Sequence, residues 1–127
     1  MFRKFGMAAA FVLATAAPAL AGECGSAPIP PDMSSVNGAT ATLAQMKDAI
    51  KDFKGFMSAS DQYQACLVAD LKAKKEAAAK AKDPKPVDPA IVSATDAKIK
   101  QNQADKERLG GELNAQIVAY KKAHSKG

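Results

Sequence analysis

The chain has 127 residues, 47% apolar, 24% charged and only 6% aromatic, with a formal charge of +5. That length holds one small domain and excludes the larger enzyme folds. An Ala- and Lys-rich composition without Trp argues against an all-β domain. One His and two Cys leave little material for a metal cluster or a catalytic triad.

Residues 1–21 read MFRKFGMAAAFVLATAAPALA. Arg3 and Lys4 make a basic start, an apolar run extends from Phe5 to Ala17, and Ala19 and Ala21 flank Leu20 after Pro18. This is the three-part layout of a secretory signal peptide, predicted to be cleaved after Ala21. As a helix the apolar run spans about 20 Å, short of the roughly 30 Å of a hydrocarbon core, so a membrane anchor fits less well. Glu23 separates Leu20-Ala21-Gly22 from Cys24, which departs from the pattern for lipid attachment. Cleavage removes two of the 18 basic residues and none of the 13 acidic ones, leaving 106 residues at a formal +3. A soluble periplasmic product without a transmembrane segment is expected.

Both cysteines, Cys24 and Cys66, remain after cleavage. An even count in an oxidising compartment favours a disulfide, with an intermolecular bridge or a redox pair as the competing readings. A redox pair normally shows Cys-x-x-Cys spacing, which is missing. If a helix starts near Thr42, Cys66 lies about 36 Å along it. The residues from Cys24 to Thr42 can extend to about 60 Å. An intramolecular bridge is therefore within reach, provided that the arm folds back antiparallel to the helix.

Residues 22–41 form this arm, where Pro28, Pro30 and Pro31 impose an extended path. Ile29, Met33 and Val36 are its candidate packing residues. A first helix is predicted over about 42–82. Thr42 and Gln45 fit a capping box, and apolar residues recur at Leu43, Met46, Ile50, Phe53 and Met57, then at Tyr63, Leu67 and Leu71. The stretch GFMSASD (55–61) is the weak point of this helix. Residues 72–82 form strong helix with an in-phase Glu76–Lys80 pair but little apolar bulk, and are expected to be solvated.

Pro84 and Pro86 end the helix within a turn over 83–88. Asp88 then suits an N-cap and Pro89 the first helical position, so a second helix is predicted over about 89–123. Its stripe is Val92, Thr95, Ile99, Asn102, Lys106, Leu109, Leu113, Gln116 and Tyr120, with four polar members. Gly110-Gly111 interrupts it at about 1 kcal/mol per Gly relative to Ala. The expected fold is all-α: a long antiparallel two-helix hairpin, with an extended N-terminal arm tied back by a disulfide. Centring the turn near Lys85 sets Ser60 opposite Gly111 and Asp70 near Asn102 and Lys106. A lone hairpin buries little surface, so a weak homodimer is also expected.

The sequence carries few residues suited to chemistry. His124 stands alone near the end of the chain and reads as solvated. Asp48 and Asp52 share a helix face but sit among Lys47, Lys51 and Lys54, which reads as a salt-bridged surface. No ligand spacing, phosphate loop or nucleophile motif is present, so no metal, no cofactor and no catalysis are expected. The distinctive charge feature is Lys72, Lys74, Lys75, Lys80, Lys82 and Lys85 against Glu76 and Asp83, a local +4. Without aromatic residues to stack bases, and with export expected, nucleic acid is disfavoured as its partner.

Cys24-Gly25, Pro28, Pro31 and Asp32, followed by Tyr63-Gln64-Ala65-Cys66-Leu67 and by NAQIVAYK at 114–121, resemble a group of small exported helical proteins of alphaproteobacteria. The pattern of that group pairs a Cys-Gly/Pro-rich arm with Tyr-x-x-Cys-Leu on a helix. The resemblance implies export and the disulfide, and it transfers no functional residue. The functional expectation is a non-catalytic periplasmic interaction or structural module, or a chaperone-like one, holding an unidentified protein or envelope partner on a stripe of Met46, Phe53, Phe56 and Met57. The alternative is a binder of anionic envelope surfaces, lipid head groups or acidic polymer, acting through residues 72–85.

Overall fold

The computed structural model describes residues 24–125, so the expected signal peptide lies outside the described residues. The described residues form a short 3-10 turn, Met33–Ser35, and two helices, α1 over Leu43–Lys80 and α2 over Pro89–His124. At 1.5 Å per residue, α1 with its 38 residues is about 57 Å long. The helices pack as an antiparallel hairpin, and their ends follow the expected chemistry. The Thr42 hydroxyl accepts from the Gln45 amide while the Gln45 side chain accepts from the Thr42 amide, completing the capping box. Asp88 caps α2 by accepting from the Ala90 amide, with Pro89 at the first position.

The arm returns along α1 as the cysteine spacing requires. Cys24 is bonded to Cys66, with the Cα atoms 5.6 Å apart. From there Pro28 and Pro31 pass beside Gly55, Phe56 and Ala59. Met33 then enters the core, and the chain turns at Asn37–Ala41 into α1. Ile29, expected to pack, points outward and is 89% exposed. It lies in a Pro-flanked extended stretch, where neighbouring side chains cannot all face one helix.

The core is confined to the end of the hairpin away from its turn. Met33 of the arm, Ala49 and Phe56 of α1, and Leu109 and Leu113 of α2 form a buried cluster flanked by Val36, Ile50, Phe53 and Ile117. Three segments therefore meet here, and the arm supplies the third layer that two helices lack. The α1 seam runs Met46, Ala49, Phe53, Phe56, Ser60, Tyr63 and Leu67, alternating steps of three and four without a break. Leu43, assigned to the stripe by its spacing, is instead 55% exposed in the first turn. The α2 stripe faces inward at each of its expected positions, with Asn102, Leu109 and Leu113 buried and the others half-buried.

Register differs from the expectation by more than a turn. Asn102 meets Ser60 and Gln64, and Lys106 pairs with Asp61, whereas Asp70 pairs with Lys74 on its own helix. The reason is the polar layer itself. Ser60 and Asn102 are 0% and 2% exposed, and the Asn102 amide donates to the Ser60 hydroxyl at 3.1 Å. Gln64 donates to Asn102 Oδ1 at 2.7 Å, and no buried side-chain polar atom among the described residues lacks a partner. Sliding α2 by a turn would separate these groups, at about 1–3 kcal/mol for each polar group left buried and unpaired. A turn position read from two prolines is a weaker constraint than that.

Both helices continue unbroken through their glycines. Gly111 and Gly55 have open space where a Cβ would stand, and at Gly110 it would lie 3.7 Å from Phe53 Cζ, an ordinary contact. Neither close packing nor backbone conformation requires Gly at position 55 or 111. We expect Gly55→Ala and Gly111→Ala each to raise the unfolding free energy by about 1 kcal/mol. Urea titration followed by far-UV circular dichroism measures this, and an unchanged midpoint would contradict the helix-propensity account.

Candidate functional site: the basic tip of the hairpin

The end of the hairpin at the turn differs in construction from the core end. Beyond Leu71 no residue of α1 is fully buried, and only Ala78 is half-covered. Residues 72–77 and 79–86 are exposed, as the lack of apolar bulk in this stretch led us to expect. Ala and Lys hold the helix together by propensity alone. The expected Glu76–Lys80 pair does not form. Lys74 instead pairs with Asp70 at 2.6 Å, one turn earlier.

All six candidate lysines, Lys72, Lys74, Lys75, Lys80, Lys82 and Lys85, are exposed. At about 100° per residue, those of α1 fan around the helix and do not share one face. Such an arrangement cannot clasp a small anion in a fixed fork of donors. It instead raises the potential around the whole tip, which suits a broad anionic surface. The local +4 exceeds the +3 that the chain carries without residues 1–21, so the rest of that chain has a net charge of −1. The basicity of the protein is therefore concentrated at one pole.

The other candidate surfaces do not come together. The Met and Phe stripe is not available to a partner: Met46 is 3% exposed, Phe56 is 5% exposed, and Phe53 and Met57 are half-buried. Met46, Phe53 and Phe56 are taken up by the protein's own interior, where Met33 of the arm packs in the same cluster as Phe56. The motive for a client-binding face disappears with them. His124 is exposed and stacks on Tyr120, its Nδ1 being 2.8 Å from the Tyr120 carbonyl oxygen.

Asp48 and Asp52 do not join a salt-bridged surface. They line an open hollow of about 380 Å³ between the arm and α1, which Asp32 shares. The Asp32 carboxyl is held below the usual carboxylate range by the Ser34 hydroxyl and the Ser34 amide, both donating to it. Both bonds go to Oδ1 and shape the 3-10 turn. Among the described residues no group of three or more His, Cys, Asp or Glu is placed to hold a metal ion, and none of their helices is long and apolar enough to cross a membrane.

Two features of the structure escaped the sequence reading. Gly38 is buried with its amide donating to Gln116 Oε1 at 2.8 Å, which seats the arm on α2. The Asn37-Gly38 pair is a turn signal and could have marked the position. Phe56 belongs to the core seam, where the apolar spacing alone predicts Met57. No protein family, curated protein or solved structure matches this chain.

Proposed function

We propose that the protein is a non-catalytic, exported periplasmic module that binds anionic envelope surfaces through the tip of its hairpin. The carrying observation is the concentration of six exposed lysines on a helix end and turn that pack nothing else. A structured base stands at the far end, where the arm and the three-layer core hold the hairpin together, and the disulfide fastens the start of the arm farther along α1. The resemblance to small exported alphaproteobacterial proteins and the disulfide itself both support an oxidising compartment.

Binding to dextran sulfate and to phosphatidylglycerol vesicles tests this reading. Each lysine near an anionic surface contributes about 1 kcal/mol, so changing Lys72, Lys75, Lys80, Lys82 and Lys85 together to Gln is expected to weaken binding at least about a hundredfold. Lys74 is left in place because Asp70 already neutralises it. Salt should act in the same direction, as the screening length falls from about 10 Å at 0.1 M to about 3 Å at 1 M. Lys and Gln have similar helix propensity, so the fold should be retained. Undiminished binding by the five-residue variant would refute the proposal.

A further inference from the structure

Two lysines of the tip, Lys75 and Lys85, flank an apolar hollow. Ala78 of α1, Pro86 and Val87 of the turn, and Val92 of α2 line a space of about 400 Å³, with Lys75 and Lys85 among its walls. Val87 and Val92 also line an adjoining hollow of about 530 Å³ that reaches along α2 to Lys100. A hydrophilic polyanion gains nothing from such a lining. A ligand carrying hydrocarbon next to its negative charge would remove that lining from water while neutralising the rim.

The backbone of the turn suits the same ligand. Pro84, Pro86 and Pro89 carry no N–H, so three backbone donors that an apolar layer would leave unsatisfied are missing around this turn. The carboxylate of Asp88 is already engaged by the Ala90 amide.

We infer that the tip docks on an anionic phospholipid surface, with acyl carbon against Val87 and Val92 and the lipid phosphates facing the exposed lysine rim that includes Lys75 and Lys85. This rests on the anion-binding reading above and deepens it, naming lipid rather than acidic polymer as the occupant. The mode is peripheral: the tip enters the head-group region, and neither α1 nor α2 is apolar enough to cross the bilayer.

The test compares phosphatidylglycerol vesicles, which offer charge and acyl chains, with dextran sulfate, which offers charge alone. The double variant Val87→Ser/Val92→Ser should bind vesicles about tenfold more weakly and bind dextran sulfate unchanged. Both positions lie outside the core cluster, so the variant should keep the far-UV spectrum and melting temperature of the parent. As an independent readout, Val87→Trp supplies the chain's single Trp. Its emission should shift to the blue on vesicles and be quenched by phosphatidylglycerol brominated on its acyl chains. Equal vesicle binding by the serine variant, or an unshifted and unquenched Trp, overturns the lipid inference and leaves anion binding standing. If the parent protein binds neither vesicles nor dextran sulfate, both readings fail together.

Discussion

Replacing both cysteines, Cys24→Ala with Cys66→Ala, is expected to lower the unfolding free energy by about 4 kcal/mol. The bridge joins residues 42 apart in sequence, and in the chain-entropy account a closed loop of that length stabilises the fold by about 4 kcal/mol. Domains of this size are typically stable by about 5–15 kcal/mol, so the loss is a large fraction of the total. The loop encloses the arm and α1 as far as Cys66, but none of α2. Its energetic reach nonetheless extends to α2, because Met33 and Gly38 of the arm touch that helix. Urea titration of the double variant beside the oxidised parent reads the difference. Coincident midpoints would mean that the arm is already confined in the unfolded chain, and that the core end stands without the staple.

The helices were legible because their signals are local. A capping box, a Pro at the first helical position and two Pro-bounded ends depend only on neighbouring residues, and the helix limits matched within one or two positions. The arm's return was legible as well, since two cysteines at known distances from a helix start allow little else within one chain. Register was not, because it is decided by which buried polar groups meet. Asn102 could have been paired with Asp70 or with Ser60 and Gln64, and spacing alone does not distinguish them. The fate of the Met and Phe stripe was hidden for a similar reason. Those residues read as an open face only if the arm leaves them uncovered, and how closely Met33 and Val36 approach is a tertiary fact. The basic tip, by contrast, could be read directly, because a helix lacking apolar bulk has no packed alternative.

Substitution of Gly38 by Ala is expected to destabilise the protein by about 3 kcal/mol, at the upper end of overpacking effects. An added Cβ would stand 1.9 Å from the Gln116 carbonyl oxygen and 2.8 Å from its carbonyl carbon. Both are backbone atoms of a continuous helix, so no rotamer change can make room. Among the described residues Gly25 is the glycine with positive φ, so the penalty at Gly38 is steric and not conformational. Separating the arm from α2 relieves the clash, but it uncovers Met33 and breaks the bond from the Gly38 amide to Gln116 Oε1. For a domain of about 100 residues the loss corresponds to a fall in melting temperature on the order of 15 °C. Gln116→Ala removes only the side-chain acceptor and should cost about 1–2 kcal/mol, the value of a buried amide left unpaired. Combining the two changes should not rescue Gly38→Ala, because the obstructing atoms remain. Thermal melts of the three variants decide the matter. Recovery in the double variant would show that the Gln116 side chain, not its backbone, sets the fit. The two anchors divide the work between them: the disulfide shortens the search for the returning arm, and Gly38 allows that arm to close on α2. A protein stapled but unable to close should keep its bridge and helices while losing the cooperative core that fixes the angle of the basic tip.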